Sequence, residues 1–504
     1  MSADAALFDI AALRAIELDA RRKLGDEREL MRRAGQAGWR EVLQHWPHAQ
    51  RLLVVCGPGN NGGDGFELAR LAHESGRQVR VLRLGEDSPR SDLAQRSSAD
   101  FEGAGGRVEQ FSSDLGMAGL GETDLGEADL LVDALFGIGL SHAPDDAATA
   151  LIDAINRHAA PVLALDVPSG IDADRGNAPG AAVIATRTLE FIAAKVGLRT
   201  GVALDHVGAL ALATLGTSWT QRTASACAEN LQADALRRWL RPRARDSHKG
   251  VNGRVLCVGG DHGSGGAIVL CAQAAARCGA GWTQVATRAA HVGALLARLP
   301  EAMTDAVDDG AALSLRITGA DVIAIGPGLG QGEWGRELLS CALSAGKPLV
   351  LDADALNLLA ESGKPPPADT ILTPHPGEAS RLLGIATADV QRDRFRAARA
   401  LCQRYGCVVV LKGAGTIVVA PGQTPRLVGA GNPGMAVAGM GDVLTGVIAA
   451  LRAQGLDAFD AASCGALLHA VAGDAAAHEG GERGMLPTDL MPWLRCLANP
   501  GSPQ

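Results

Sequence analysis

Arg51–Gly65 reads RLLVVCGPGNNGGDG, followed by ELARLAHESG at Glu67–Gly76. RLLVVC is a continuous apolar run of strand length, as expected for a strand buried on both faces. A glycine-rich turn follows at once, and the next stretch has helical spacing, so the segment is a β-loop-α unit. The alternation continues outward on both sides. Upstream, Leu7–Trp46 carries helical apolar spacing with charges between and is expected to pack across a sheet. Downstream, strands are predicted at Gln78–Leu84, Asp129–Leu135 and Pro161–Leu165, with a helix near Ala147–Arg157 and a strand-rich tail over Ala181–Leu215 (AAVIA, TLEFIAA, ALALA). Strands alternating with helices imply an α/β fold with a parallel, doubly wound sheet, which binds ligands at the carboxyl ends of its strands.

The pattern is lost over Gly216–Asn230, which places a boundary near Thr217–Asn230 and predicts domains over 1–220 and 228–504. A second α/β series follows. Strands are expected at Arg254–Val258, Asp321–Ile325, Pro348–Leu351, Thr370–Leu372 and Cys407–Leu411, a helix at Ala267–Cys278, and a short strand pair around Thr416–Val428. Glycine-rich loops again follow strands, yet no residue-level repeat links the halves. A length of 504 residues agrees with more than one core, at roughly 150 residues per domain.

Composition narrows the function. No run reaches the ~20 apolar residues of a membrane span, and MSADAALFDI lacks a basic start and apolar core, so no secretory signal is read. A cytoplasmic protein is expected. Net charge is −9, and aromatic residues are 3% with a single Tyr, which argues against nucleic-acid partners. Ten cysteines without CxxC pairs, with Cys56, Cys257 and Cys407 in or beside apolar runs, are expected to be reduced and buried.

Three strand ends in the first half carry oxygen-bearing side chains: Asn60 and Asn61, then Asp133, then Asp166 with Ser169. Asn61, Asp133 and Ser169 together would offer hard oxygen ligands to a weakly bound cation. The turn also meets the Gly57-x-Gly59-x-x-Gly62 dinucleotide fingerprint, with Glu86 where a ribose-binding acid would stand, so a dehydrogenase is a rival reading. Against it, Asp64 crowds a pyrophosphate cradle, and no hydride-transfer site is evident. Neither a GxxxxGKS/T loop nor a kinase-type HRD is present.

In the second half, Asn432–Gly446 (NPGMAVAGMGDVLTG) opens from glycines into an apolar helical segment carrying one acid, Asp442. A helix beginning near Gly441 directs unpaired N–H groups at an anion, and the carboxylate can take a proton from a hydroxyl during phosphoryl transfer. Lys412, at a strand exit in KGAGT (Lys412–Thr416), can set a charge near a nucleotide phosphate. His375 stands between two prolines that fix its loop.

Taken in order, NNGGDG, VDALFG, DVPSG, SHKG, GPGLG, DADALN, HPGE, KGAGT and NPGMAVAGMGDVLTG closely resemble the bifunctional NAD(P)H-hydrate repair enzymes, over nearly the whole chain. The resemblance implies a Rossmann-like epimerase domain fused to a ribokinase-like, nucleotide-dependent dehydratase domain. The first would interconvert the R and S hydrates of NADH or NADPH; the second would return the S form to the working cofactor. It implies Asn61, Asp133 and Ser169 as potassium ligands. Hydrate contacts would be Asn60, Asn61, Gly62, Gly63, Asp64, Gly137, Ile138, Gly139, Leu140, Ser141, His142, Ala143 and Asp166. In the second domain it implies Ala267, Gly328, His375 and Asp442 for the hydrate, and Lys412, Gly413, Ala414, Gly415, Thr416 and Gly441 for the nucleotide. ADP, converted to AMP, is expected over ATP, with Mg²⁺ offsetting charge. Asp442 is expected to be the catalytic base of the dehydratase and Asp166 an acid or base of the epimerase. Ala438 departs from the family, standing where many relatives have glycine. Small-molecule substrates, no membrane and a homo-oligomer are expected. A ribokinase-like small-molecule kinase and a non-catalytic dinucleotide sensor remain alternatives.

Overall fold

The structure, a computed structural model, describes residues 5–85, 89–111, 125–140, 142–220 and 224–499. It divides into two compact units, Met1–Ala228 and Glu229–Gln504.

The first unit is built on seven strands: β1 Arg51–Cys56, β2 Gln78–Leu84, β3 Val108–Phe111, β4 Leu130–Ala134, β5 Val162–Leu165, β6 Arg187–Phe191 and β7 Ala209–Ala213. Their order across the sheet is β3-β2-β1-β4-β5-β6-β7, and every pairing is parallel. Chain order reverses between β1 and β4, which opens a crevice at their carboxyl ends. Val54, Val55 and Cys56 are fully buried, as the uninterrupted apolar run requires. The glycines of the first turn are there for closeness: a Cβ on Gly62 would stand 2.0 Å from the Gly57 carbonyl oxygen. Leu7–Trp46, read as helical, forms two helices, Ile10–Leu24 and Glu29–His45, separated at the left-handed Gly25 (φ 69°). One expectation needs correction. AAVIA at 181–185 forms no strand, because its amides bond singly to loop carbonyls, Val183 N to Ser169 O and Ala185 N to His206 O.

The second unit contains β8 Ala228–Leu231, β9 Arg254–Val258, β10 Trp282–Thr287, β11 Met303–Ala306, β12 Val322–Ile325, β13 Leu349–Leu351, β14 Thr370–Leu372, β15 Val408–Leu411, β16 Ile417–Val419 and β17 Arg426–Val428. Within the unit the order is β8-β17-β16-β15-β14-β13-β12-β9-β10-β11. Strands from β15 across to β11 are parallel; β16 runs antiparallel to both its neighbours. The helix Met440–Ala453 buries Val443, Val447, Ile448 and Leu451 and crosses the helix Gly265–Arg277 at Gly446, where a Cβ would meet the Cys271 carbonyl oxygen at 2.0 Å. All ten cysteines are free. Among the described residues, no helix is long and apolar enough to cross a membrane.

Candidate active sites

The first site forms where β1, β4 and β5 end. Asp133 is fully buried: one carboxylate oxygen accepts from Ser169 Oγ (2.6 Å) and Leu135 N (3.2 Å), the other from Ser169 N (2.8 Å). Burial pushes its pKa up to about 6, opposed by these bonds. Asn61, on the first turn of the helix Asn60–Glu74, is buried, and neither its Oδ1 nor its Nδ2 has a hydrogen-bond partner. Gly137 lies beside it; a Cβ there would stand 3.2 Å from Asp166 Oδ2 and 3.4 Å from Asn61 Cβ.

Asp166 itself is strained, with φ at +68°, a region costing a non-glycine residue roughly 1–3 kcal/mol. Three contacts hold it there. Its N–H donates to Leu189 O (2.8 Å), its Oδ1 accepts from Phe191 N (3.2 Å), and Lys195 Nζ pairs with the same oxygen at 2.7 Å. Lys195 is 1% exposed and also donates to the carbonyls of Phe191 and Ala193. Burial, then the Asp166 charge, raises the Asp64 carboxyl well above the usual range.

Asn60, Asn61, Asp64, Gly137, Ile138, Gly139, Leu140, His142, Asp166 and Lys195 line one cavity of about 700 Å³. Gly62, Gly63 and Ala143 do not line it; Gly63 instead packs on Met31, whose Cε would be 2.5 Å from an added Cβ. Ser141 and Glu86 lie outside the described residues.

The second site lies at the ends of β12 to β15. Asp352, after β13, is 1% exposed and pairs with Lys412 Nζ at 2.6 Å while accepting from Thr445 Oγ1 at 2.9 Å. Lys412, after β15, is also 3.8 Å from Glu378 Oε2. Burial opposes its charge, but the Asp352 and Glu378 carboxylates prevail and hold its pKa above the usual value. Gly441 lies over this pair: a Cβ there would be 3.1 Å from Lys412 Nζ and 3.4 Å from Asp352 Oδ2.

Asp442 follows in the first turn of Met440–Ala453, whose cap, Gly439, needs φ +96°. Burial foremost, and then the Asp352 charge, pushes the Asp442 carboxyl up to about 7, with Lys412 pulling the other way. His375 caps the helix Pro376–Leu383: its Nδ1 accepts from Gly377 N (3.0 Å), and its own N–H donates to Glu378 Oε2 (2.8 Å). Burial and the Lys412 charge lower its pKa, favouring neutral imidazole. Gly328 (φ +60°) and Ala267 meet, a Cβ on the former standing 3.3 Å from the latter's Cβ. Gly326 in the same loop leans on the Asp352 carbonyl, so loop and carboxylate share one rim.

Several participants were not anticipated. Lys195 and Asp352 complete the two ion pairs, Glu378 and Thr445 flank the second, and Arg394 reaches the carbonyls of Leu411, Lys412 and Gly415 under KGAGT. Lys195 had a signal, a lone charge inside the apolar FIAAKVGL, and Asp352 opens the DADALN motif.

A doubly wound parallel unit with a polar crevice at its switch point, followed by a ribokinase-like unit with a carboxylate at a helix start, defines a two-site enzyme handling nucleotide-like small molecules. Residues 27–197 match the family described as YjeF-related protein N-terminus, and residues 255–495 the NAD(P)H-hydrate dehydratase family. A bifunctional NAD(P)H-hydrate repair enzyme Nnr of Coxiella burnetii is 46% identical over 475 residues, 94% of this chain and 95% of its own. That of Escherichia coli is 44% identical over 473 residues, 94% and 90% of the two chains. A solved ribokinase-like superfamily protein from Enterococcus faecalis, 31% identical, superposes with a TM-score of 0.51 over 54% of this chain and 95% of its own. The chain belongs to the bifunctional NAD(P)H-hydrate repair enzymes, with an epimerase and a dehydratase domain.

Proposed function

We propose that the first unit interconverts the R and S hydrates of NADH or NADPH, and that the second dehydrates the S form while ADP is converted to AMP and phosphate. Asp442 carries the second half of this reading. Its carboxyl, lifted to about 7 at a helix start, is poised to accept a proton near neutral pH. Asp442 takes the proton of the ring hydroxyl, whose oxygen attacks the terminal phosphorus of the nucleotide and displaces AMP. The ring nitrogen lone pair then expels phosphate, and loss of a proton from the neighbouring carbon restores the dihydropyridine. N–H groups at the start of Met440–Ala453 favour the phosphoryl oxygens, and Lys412–Thr416 with Gly441 contact the nucleotide. Ala267, Gly328 and His375 contact the hydrate.

In the first unit Asp166, paired with Lys195 Nζ at 2.7 Å, acts as an acid or base at the hydrated carbon. Asn60–Asp64, Gly137–Ala143 and Asp166 contact the hydrate. Asn61, Asp133 and Ser169 would hold K⁺; the orphaned, buried amide oxygen of Asn61 and the hard oxygens of the other two suit that ion. Mg²⁺, held chiefly by nucleotide phosphates, would offset charge. A cytoplasmic homo-oligomer completes the reading, the assembly being measurable by light scattering.

The test is to mix the protein with R,S-hydrate and either ADP or ATP. Return of reduced-cofactor absorbance with equimolar AMP and phosphate is expected from ADP. A stable phosphorylated product would instead identify a kinase, and tight cofactor binding without nucleotide consumption a sensor.

A further inference from the structure

Arg394 is the first residue of the helix Arg394–Tyr405, an end whose dipole disfavours a cation, and it is only 1% exposed. Helix stability does not account for it. Its guanidinium is instead spread beneath the loop joining β15 to β16. Nη2 donates to Lys412 O (3.2 Å), Gly415 O (3.4 Å) and Leu411 O (3.5 Å), and Nη1 to Gln391 Oε1 (2.7 Å). The loop rests on it closely: a Cβ on Gly413 would be 3.0 Å from Nη1. The Gly413 carbonyl is turned to Thr416 Oγ1 at 3.1 Å. Each of these carbonyls therefore spends its partial negative charge inward. A phosphate approaching from the other side meets a loop from which those repulsive dipoles have been removed, over a buried positive charge that water screens weakly.

We propose that Arg394 is a positioning residue for the nucleotide, shaping Lys412–Thr416 to receive the phosphates of a nucleoside diphosphate without touching the ligand. This rests on reading that loop as the nucleotide contact. Lysine would keep the charge but lose the planar fork that takes several carbonyls at once.

The test compares the full-length protein with Arg394→Lys and Arg394→Met, reading ADP affinity by calorimetry, KM for ADP, KM for the hydrate and kcat. Dehydration kcat and hydrate KM, carried by the same unit as Arg394, serve as the folding control. Hydrogen bonds from a charged donor set the scale. Arg394→Met is expected to raise the ADP Kd and KM by about 10-fold or more and Arg394→Lys by about 5-fold, with kcat and hydrate KM within about 2-fold. A folded Arg394→Lys protein with the parent's ADP affinity would overturn the proposal. So would equal losses in every parameter, which a merely structural role produces. If neither variant folds, the exposed Gln391→Ala, which frees one arm of the fork, must raise the ADP KM about 2-fold; no change overturns the role. A parent protein that binds no ADP defeats the reading of the loop itself, an outcome visible before any variant is made.

Discussion

The two units meet a similar demand with the same parts in different places. Each has a strand-end carboxylate paired with a lysine: Asp166 with Lys195 at 2.7 Å after β5, Asp352 with Lys412 at 2.6 Å after β13. Each also stores backbone strain there. Among the described residues four non-glycine positions have positive φ; Asp166, Ile192 and Leu215 line the first cavity, and Ala353 adjoins Asp352. The difference lies in how each pair relates to its candidate site. In the first unit the paired Asp166 itself lines the cavity. In the second the paired Asp352 is sealed in, and burial, then the Asp352 charge, raises the pKa of Asp442, the carboxylate placed at a helix start. Phosphoryl transfer, the reaction proposed there, calls for a base near neutrality beside donors for the phosphoryl oxygens.

The largest effect that would break this comparison is at Asp442. Asp442→Asn is expected to lower dehydration at least ~100-fold with nucleotide affinity retained; steady-state turnover within tenfold of the parent would remove Asp442 from the chemistry. Lys195→Met comes next. It leaves Asp166 unpaired, so epimerisation should fall roughly 10–100-fold, and denaturant unfolding of the first unit should show a loss of about 3–5 kcal/mol. Parent-like values in both would dissolve the parallel between the pairs.

The pH response sharpens it. With the Asp442 carboxyl at about 7, dehydration kcat/KM should rise about tenfold per pH unit below 7 and level off above it. Stability moves the other way. The folded carboxyl keeps its proton above the unfolded value of about 4, so this group's contribution falls as pH climbs from about 4 through about 7. Asp442→Asn should therefore gain stability over the parent across that window, by a few kcal/mol at most, and keep the gain at pH 8; thermal melts at pH 4 and pH 8 check the sign. The smallest effect is at Gly441→Ala, whose methyl would stand 3.1 Å from Lys412 Nζ. A rise of about 2–5-fold in nucleotide KM is expected, as the ammonium must give by a few tenths of an ångström.

Strands buried on both faces announce themselves as apolar runs, so β1, β4, β5, β9, β12 and β15 were legible along the chain. β3, β10 and β11 were not: VEQF, WTQVAT and MTDA mix polar residues into strands that lie toward sheet edges, where one face need not be apolar. Motif residues such as Asp133, Asp166, Lys412 and Asp442 stand out by their glycine-rich company. Their partners do not. Arg394 looks like its neighbours Arg392, Arg396 and Arg399 until tertiary contact buries it, and the strain at Asp166 exists only because β6 and Lys195 hold it.

Presenting single epimers to full-length Asp442→Asn and Asp166→Asn tests the division of labour most directly. Asp442→Asn, given pure R hydrate, should still equilibrate it with S yet return no reduced cofactor; Asp166→Asn should dehydrate pure S at the parent's rate and leave R untouched. Either variant losing both reactions, or reduced cofactor accumulating with Asp442→Asn at the parent's rate, would contradict two independent sites each served by its own carboxylate.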